Sequence, residues 1–413
     1  MTRRPALAAL VLALAACATE PETVPPWRLV DAPAAADERH LIVTVAAASP
    51  GLVAAIAEDL DRAYPIELVA EWPLAAIEAH CYVFRLAPGS AGEAVVARLE
   101  RDARVRSVQR MRVYASATLP LGSAGEEGPP ESANEDLSAL QDALVRLRAR
   151  EAHGVATGRG VRVGVVDTRP DEAHPDLRDA IAAVRDFVET PPGTRTGTRA
   201  EAHGTAVAGV IAARAEPARG IVGVAPDASV LALRACWEED AEADRCTSFS
   251  VARALNVAVL EGLDIVNLSI AGPPDPLVDE LLAAGAARDM VFVAAAARDP
   301  DRSFPASSAH TIAVAGLGEA ASVETLRAPG HDVVSTAPGG GFEFYSGSSM
   351  ATALVSGAAA LLRERTPGAS PARIAEALRA SAPPGASVDV CRAASAIAPT
   401  ATPCDPRSRG ASL

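Results

Sequence analysis

The sequence predicts a large α/β domain with a mostly parallel central sheet, preceded by a small α+β module of the ferredoxin-like type. From residue 161 onward, apolar strands alternate with helices, which is typical of a parallel sheet that helices cover on both faces. Before that point, residues 39–116 follow the order strand, helix, strand, strand, helix, strand. The chain has 413 residues, which is enough for both units.

The overall charge argues against a nucleic-acid partner. The formal net charge is −14, whereas a chain that binds nucleic acid would present a basic patch. Aromatic residues make up only 3% of the chain, so we expect a core built from Ala, Val and Leu. No nucleic acid is expected among the partners.

The N-terminus is typical of an export signal. Residues 1–17 begin with a short arginine-containing segment, continue with an apolar run over 6–16 and end in the letters LAAC. The apolar run is too short to serve as a permanent membrane span. The last four letters resemble a bacterial lipobox, which would make Cys17 a lipidated first residue; the alternative is an ordinary signal peptide cut near Cys17. The residue after Cys17 is Ala18. An Asp at this position would favour retention at the inner membrane, so Ala18 favours a periplasm-facing lipoprotein of the outer membrane.

Three low-complexity segments separate or follow the folded units. Residues 18–38 are rich in Pro, small and acidic residues, which suits a tether from a membrane surface. Residues 117–136 contain Gly, Pro and Glu and form a protease-sensitive linker, and residues 397–413 form a tail. A cut in the linker would release the large domain from the lipid anchor unless it stays bound to the module.

The cysteines suggest local disulfides, since an exported chain meets oxidising conditions. Cys236 and Cys246 flank an acidic loop, and Cys391 and Cys404 flank the Pro- and Ala-rich tail. Cys81 is left over and is expected to be free and buried. The sequence alone does not decide these pairings.

The first unit, residues 39–116, contains no cluster of catalytic residue types, so we interpret it as a folding aid or inhibitor. Its predicted strands are 40–47, 66–72, 80–86 and 105–115, and its predicted helices are 51–64 and 92–102.

The second unit, residues 137–396, carries the parallel sheet. Its predicted strands are 161–166, 229–234, 264–269, 290–296 and 311–315, and its predicted helices include 204–214, 248–261, 279–288 and 371–380. A further apolar helix begins near Ser349, whose hydroxyl would stand at a buried helix start.

Three side chains at element boundaries suggest acyl-transfer chemistry. Asp167 ends a strand, His203 opens a helix and Ser349 opens another. Open parallel sheets place their sites at the carboxyl ends of the strands, where these positions converge. A serine hydroxyl needs a base, and the base needs an acid to hold its tautomer. The alternative for Ser349 considered alone is an ordinary helix cap.

The letters around these residues resemble the subtilisin-like serine proteases. The three blocks are VGVVDT at 163–168, HGTAVAG at 203–209 and GSSMAT at 347–352, in the Asp, His, Ser order of that family. The segments GVAPDA at 223–228, NLSIAG at 267–272 and STAPGG at 335–340 also match family segments. The resemblance covers about residues 137–395 and implies a subtilisin-like three-layer fold.

The resemblance implies roles for these residues. Ser349 would be the nucleophile, His203 the general base and acid, and Asp167 the residue that orients His203. A protein or peptide substrate would be bound by Ser269, Ile270, Ala271 and Gly272 on an edge strand, facing Ala295 and Ala296. Residues 39–116 resemble the family's propeptide, which would be a partner of the catalytic domain. Calcium is a common cofactor of the family, but no metal ligands can be assigned from the sequence.

One departure from the family concerns the oxyanion site. The family has an Asn in an Ala-Ala-Gly-Asn-Asp-like turn, whereas residues 295–299 read AAARD and place Arg298 there. Arg298 would either donate to the oxyanion or point to solvent, and the length and polarity of its side chain favour solvent. This departure motivates an alternative function, a pseudoprotease that binds peptides as a lipoprotein.

Smaller departures leave the three predicted catalytic residues in place. Arg169 and Pro170 follow Asp167-Thr168, Ala206 stands where a second His is frequent, and Ala353-Leu354 replaces Pro-His. We interpret them as signs of a slow or narrow protease. An esterase with the same triad is disfavoured because the blocks are not those of the nucleophile-elbow fold.

Overall fold

The computed structural model describes residues 39–116, 118–120, 136–188, 200–214, 219–240, 243–321 and 324–398. The predicted signal peptide and tether, most of the linker, Cys404 and nearly all of the tail lie outside these ranges. We call residues 39–116 the N-terminal module and residues 137–396 the large domain.

The N-terminal module has the predicted order of elements. These are β1 (His40–Ala46), α1 (Pro50–Ala63), β2 (Ile66–Leu74), β3 (Ala79–Leu86), α2 (Gly92–Leu99) and β4 (Ser107–Arg110). The strands form an antiparallel sheet in the ferredoxin-like order β2-β3-β1-β4. Val53, Ala57 and Leu60 share one face of α1 at helical spacing, and this face is buried in the core of the module.

Two short strands, β5 (Val113–Ser116) and β6 (Thr118–Pro120), follow the module sheet. The strands of the large domain are β7 (Arg162–Asp167), β8 (Ile181–Asp186), β9 (Ser229–Arg234), β10 (Cys236–Asp240), β11 (Ala243–Thr247), β12 (Ile265–Leu268), β13 (Ile270–Ala271), β14 (Val291–Ala295), β15 (Thr311–Gly316), β16 (Leu326–Ala328), β17 (Val333–Ala337) and β18 (Gly341–Gly347). Its helices are α3 (Asp142–Leu147), α4 (Ala149–Ala152), α5 (Ala202–Ala212), α6 (Ser248–Leu260), α7 (Pro276–Ala286), α8 (Ser348–Arg365), α9 (Pro371–Ala380) and α10 (Val390–Ile397).

A parallel sheet in the order β16-β15-β14-β12-β7-β9-β8 organises the large domain, which confirms the predicted fold class. Successive side chains of a strand point to opposite faces. Val165 of β7 therefore joins the core shared with α5 and α8, whereas Val166 joins the core shared with α6 and α7. The helices thus form a layer on each face of the sheet.

The helix α8 is buried along most of its length. Small side chains make this possible, because they let neighbouring backbones approach closely. A Cβ added to Gly357 would lie 2.6 Å from Val224 Cβ. This packing holds the N-terminus of α8 against the core.

The second face of the module sheet packs against α6 and α7 of the large domain. Cys81, Ile77 and Tyr114 share one apolar cluster with side chains of these helices. Hydrogen bonds add to this contact, among them Ala76 N to Asn256 Oδ1 at 3.0 Å. The module and the large domain therefore share a core.

The last predicted strand of the module, 105–115, is wrong as a single strand. The structure divides it into two strands. The first, β4, pairs with β1 in the module sheet, whereas β5 is not part of that sheet and pairs with β11 and β13 of the large domain. The apolar pattern of the segment suits either sheet. The sheet that β5 joins depends on which strands have edges with unpaired backbone groups, and those strands are distant from β5 in sequence.

One predicted disulfide is present, between Cys236 and Cys246, and it joins β10 to β11. Cys81 is free and buried, as predicted. None of the helices in the described ranges is both long and apolar enough to cross a bilayer.

Candidate active site

Two of the predicted catalytic side chains are in direct contact. Asp167 is the last residue of β7, and His203 is the second residue of α5. His203 Nδ1 lies 2.6 Å from Asp167 Oδ1, and both side chains are buried. Asp167 Oδ1 also accepts the backbone N–H of Thr168 at 2.7 Å. The carboxylate is thus held in place by its own turn while it contacts the imidazole.

A glycine makes this contact possible. Gly204 N donates to Thr168 Oγ1 at 2.9 Å, and a Cβ added to Gly204 would lie 2.2 Å from Thr168 O. A side chain at this position would push α5 away from the end of β7. The glycine after His203 therefore has a packing reason in addition to its place in the motif.

Ser349 lies at the same edge of the sheet. It is the second residue of α8, and its Oγ donates to the backbone oxygen of Ser269 at 3.1 Å. Ser269 follows β12, the neighbour of β7, and Asn267 of β12 stands opposite Val165 of β7. Ser269 and Asp167 each follow this pair by two residues, so both lie at the carboxyl edge of the parallel sheet. The three predicted residues are thus brought to one edge of the sheet.

The turn that presents Ser349 depends on Gly347. This residue ends β18 with φ at 141°, a backbone conformation that L side chains rarely adopt, and α8 begins at the next residue. The chain can therefore pass directly from a strand into a buried helix. The backbone N–H of Ser349 lies in the first turn of α8, where the helix dipole favours negative charge.

The carboxylates around His203 control its protonation. Burial alone would lower the pKa of His203, but Asp167 and, more weakly, Asp244 and Glu238 raise this pKa to about 9. Asp244 lies on β11 with Oδ2 4.0 Å from His203 Nδ1. No motif in the sequence pointed to Asp244, because it belongs to a hairpin outside the three blocks.

A buried ionic cluster supports the N-terminus of α5. Arg234 ends β9, is 1% exposed and pairs with Glu201 at 3.1 Å and with Asp186 at 3.0 Å. Glu201 Oε2 also accepts the backbone N–H of Arg169 at 2.7 Å. Ala202 N donates to Glu238 Oε1 at 2.6 Å. The sequence signal for this cluster is the isolated arginine at the end of an apolar strand.

The edge predicted to bind substrate is paired with the protein's own chain. The strand β5 runs antiparallel to β13, with Ser116 opposite Ile270 and Ala115 opposite Ala271. On its other side β5 pairs with β11, where Ala115 stands opposite Arg245. Ile270 and Ala271 of the predicted edge Ser269–Gly272 thus pair with an extended segment that ends at Ser116.

The chain continues on the other side of Ser349. The strand β6 pairs with β18, with Thr118 opposite Gly347 and Pro120 opposite Tyr345. Gly347 precedes Ser349 by two residues. The described residues before and after residue 117 therefore flank Ser349 from both sides.

The remaining predicted site residues lie at the end of β14 and beyond β13. Ala295 and Ala296 are buried, and Gly272 exchanges backbone hydrogen bonds with Phe304, at 2.8 and 3.1 Å. Arg298 is exposed, and its side chain has no hydrogen bond or ion pair within the described ranges. This geometry agrees with the interpretation that Arg298 points to solvent.

The described residues do not form a recognisable metal site. Among them, no group of three or more His, Cys, Asp or Glu side chains could hold a metal ion. No calcium ligands are therefore assigned.

Sequence comparison matches this chain to known proteases. A profile described as the subtilase family matches residues 158–396. An intracellular serine protease of Paenibacillus polymyxa is 32% identical over 225 residues, which are 50% of this chain and 68% of that protein. Subtilisin E of Bacillus subtilis is 32% identical over 267 residues, which are 60% of this chain and 68% of that protein.

Solved structures show the same fold. Fervidolysin from Fervidobacterium pennivorans, described as a keratinolytic enzyme related to subtilisin, superposes with a TM-score of 0.67 at 22% identity. The match covers 87% of this chain, so it extends beyond the large domain, and 61% of the fervidolysin chain. A protease from Pseudoalteromonas arctica superposes with a TM-score of 0.55 at 22% identity, over 64% of this chain and 100% of that chain. These likenesses confirm the three-layer fold.

Proposed function

The chain belongs to the subtilase family as a subtilisin-like serine endopeptidase, and we propose that Ser349, His203 and Asp167 are its catalytic triad. The observation that carries this proposal is the buried 2.6 Å contact between His203 Nδ1 and Asp167 Oδ1, at the edge of the sheet where the first turn of α8 presents Ser349. Proteins or peptides are its substrates.

The geometry supports a two-step acyl transfer. With Nδ1 engaged by Asp167, the Nε2 atom of His203 is the basic nitrogen and accepts the proton of Ser349 Oγ as the oxygen attacks the peptide carbonyl. His203 then gives this proton to the leaving amine, and an acyl-enzyme forms on Ser349. Water, deprotonated by His203, hydrolyses the ester and restores the serine.

The negative charge of each tetrahedral intermediate develops near the N-terminus of α8. There the backbone N–H of Ser349 and the helix dipole stabilise it. With Arg298 exposed, the second donor of the family's oxyanion site is missing, so we propose a slow protease.

We propose that the first substrate is the chain itself. The strands β5 and β6 approach Ser349 from opposite sides, with Ser116 opposite Ile270 and Thr118 opposite Gly347. An extended chain paired with an edge strand is the form in which such sites take peptides. The cut would fall between Ser116 and Thr118, and the N-terminal module would then act as the propeptide and inhibitor.

Expression of the wild type beside Ser349→Ala tests both proposals. We expect two fragments from the wild type, with intact masses that place the cut beside residue 117, and one uncut chain from Ser349→Ala. The double substitution Ser116→Pro and Thr118→Pro in the wild type separates the proposals, because it disturbs the cut segment and leaves the triad intact. A wild type that stays uncut and is not labelled by a fluorophosphonate probe would refute the catalytic triad.

The exposed Arg298 supports a second candidate, a pseudoprotease that binds peptides without cutting them. The same fold and edge strand would then serve for binding alone. Casein cleavage by the wild type that is lost in Ser349→Ala would exclude this candidate. Peptide binding that is equal in both proteins, without cleavage, would support it.

We further propose that the protein is exported and lipidated on Cys17, on the basis of the LAAC letters at residues 14–17. Metabolic labelling with a radioactive fatty acid tests this. We expect label and membrane association in the wild type and loss of both in Cys17→Ala. An unlabelled wild type would indicate an ordinary signal peptide.

A further inference from the structure

Asp244 lies beside the predicted triad but outside the family motifs. It belongs to β11, in a hairpin that the Cys236–Cys246 disulfide closes at its base. Its Oδ2 atom is 4.0 Å from His203 Nδ1, and its side chain is 12% exposed. A nearly buried carboxylate at this distance from an imidazole interacts strongly with it.

The same carboxylate contacts the strand that occupies the substrate edge. Arg245 stands opposite Ala115 in an antiparallel pair, so the next residues along the two strands, Asp244 and Ser116, are neighbours at the end of β5. Ser116 stands opposite Ile270 of β13, in the position that a bound substrate would take. Asp244 therefore lies next to the imidazole and next to the residue that stands in the position of a substrate.

Several carboxylates surround the single imidazole of His203, so a hydrogen-bond donor or a positive charge from the substrate would stabilise the Asp244 carboxylate. Asp167 on β7 already pairs with His203, so Asp244 on β11 is a second carboxylate beside a single imidazole, with Glu238 of β10 as a third acidic neighbour. Burial raises the pKa of Asp244 to about 6, while the charge of His203 opposes the rise and that of Asp167 adds to it. At neutral pH the carboxylate is therefore mostly charged.

We propose that Asp244 determines specificity at the substrate position that Ser116 occupies, by selecting side chains that donate a hydrogen bond or carry a positive charge. An acidic side chain at this position would lie beside the Asp244 carboxylate and be rejected. This inference rests on the proposed function, because it takes Ser116 to represent a substrate residue.

Matched peptides provide the first test. Peptides based on residues 113–118 would carry Ser, Arg, Ala or Glu at the Ser116 position. They would be given to the cut wild type, to cut Asp244→Asn and to the control Glu376→Gln, in enough excess to compete with β5 for the edge strand. Glu376 is an exposed carboxylate on α9, so Glu376→Gln removes the same single negative charge as Asp244→Asn but outside the site.

For the wild type and the control, we expect kcat/KM for Arg and Ser to exceed that for Glu by about tenfold or more, since hydrogen bonds to charged groups are among the stronger ones. Asp244→Asn should lose most of the preference for Arg over Glu. Equal discrimination by the wild type and Asp244→Asn would overturn the proposal.

The pH profile provides a readout that a merely structural role would not change. Asp244 adds to the charge that raises the pKa of His203, together with Asp167 and Glu238. In Asp244→Asn, the rising limb of kcat should therefore move to lower pH, whereas in Glu376→Gln it should stay in place. An unmoved limb in Asp244→Asn would contradict the contact with His203.

A double-mutant cycle tests the contact without any need for activity. Thermal unfolding of the full chain would be measured in the Ser349→Ala background, with Ser116→Ala, Asp244→Ala and both together. We expect the double variant to have nearly the same Tm as the less stable single variant. Additive losses of Tm would overturn the contact. Coupling without any peptide cleavage by the wild type would refute the proposed function and leave the contact supported.

Discussion

At the scale of single residues, the predicted triad contains one strong interaction and one weak point. His203 and Asp167 are joined at 2.6 Å in a buried setting, where a hydrogen bond between charged groups is stronger than in water. Arg298 is exposed where the family has an asparagine donor. The structure therefore provides a strong interaction for His203, the base that activates Ser349, but within the described ranges it lacks a side-chain donor for the negative charge that forms on the carbonyl oxygen.

The first prediction concerns this missing donor. Loss of the corresponding asparagine in a subtilisin reduces turnover about 10²–10³-fold. We therefore expect Arg298→Asn to raise kcat by about tenfold or more, with little change in KM, because the donor acts on the transition state. Hydrolysis of a peptide by the cut enzyme measures this, with the peptide in enough excess to displace β5 from the edge strand. Arg298→Ala is the control and should match the wild type; a large loss of kcat in Arg298→Ala would show that Arg298 itself donates.

The second prediction concerns pH. Burial lowers the pKa of His203, and Asp167, Asp244 and Glu238 together raise it to about 9 in the filled cleft. Only the neutral imidazole accepts a proton, so kcat should rise with pH, reach half its maximum near pH 9 and level off above that. The pH dependence of kcat reports this pKa because the cleft is then filled by substrate. A rising limb centred below the ordinary histidine pKa would contradict the prediction.

At the scale of elements, the site depends on how closely α5 approaches the end of β7. Gly204 packs on the backbone of Thr168, and the ionic cluster of Arg234, Glu201 and Asp186 holds the residues before α5. Glu201 also accepts the backbone N–H of Arg169. The backbone of Arg169, directly after Asp167-Thr168, is thus part of the connected support for His203.

The third prediction tests this approach. In Gly204→Ala the new Cβ would lie 2.2 Å from Thr168 O, so α5 must shift and the contact between His203 and Asp167 should lengthen. We expect kcat to fall by about 10²-fold or more, as misplacement of a catalytic group does. Gly368→Ala is the control, since nothing lies within 4 Å of a Cβ there. Unchanged kcat in Gly204→Ala, with normal Tm, would contradict the packing argument.

At the scale of the whole molecule, the N-terminal module and the large domain share a core. The guanidinium of Arg253 on α6 lies 4.1 Å from the centre of the Trp72 ring of β2, and Phe187 and Phe249 lie on its other sides. A desolvated cation–π contact contributes about 2 kcal/mol. A cut beside residue 117 breaks the chain but leaves this contact intact.

The fourth prediction is that the module stays bound after the cut. Cys81 is buried where the module sheet meets the large domain, so its modification reports separation of the two units. We expect the two fragments to elute together in gel filtration, and Cys81 to react with a thiol reagent only after denaturation, as measured by mass spectrometry of its peptide.

Trp72→Ala should speed the modification of Cys81 in the cut protein, because it removes the face on which Arg253 stacks. Leu52→Ala, on the exposed side of α1, is the control and should have no effect. Separate elution of the fragments would show instead that processing releases the large domain.

Much of the fold and of the candidate site was predictable because it is encoded locally. Apolar strands such as β7 and helix starts such as that of α8 are visible in the spacing of side chains along the chain. Asp167, His203 and Ser349 stand at ends of such elements, and the parallel sheet brings strand ends to one edge. The disulfide between Cys236 and Cys246 was predictable for the same reason, since only a short loop separates the two cysteines.

The sequence by itself determined the two units, the parallel sheet and the order of the three blocks, because these depend on periodicity and on motifs of a few residues. Only the tertiary structure decided that β5 leaves the module for the edge between β11 and β13, that Arg298 is exposed and that Asp244 reaches His203. Each of these depends on partners far away in sequence. A strand pattern specifies which faces are apolar, but the strand edge with which it pairs is chosen when the whole chain has folded.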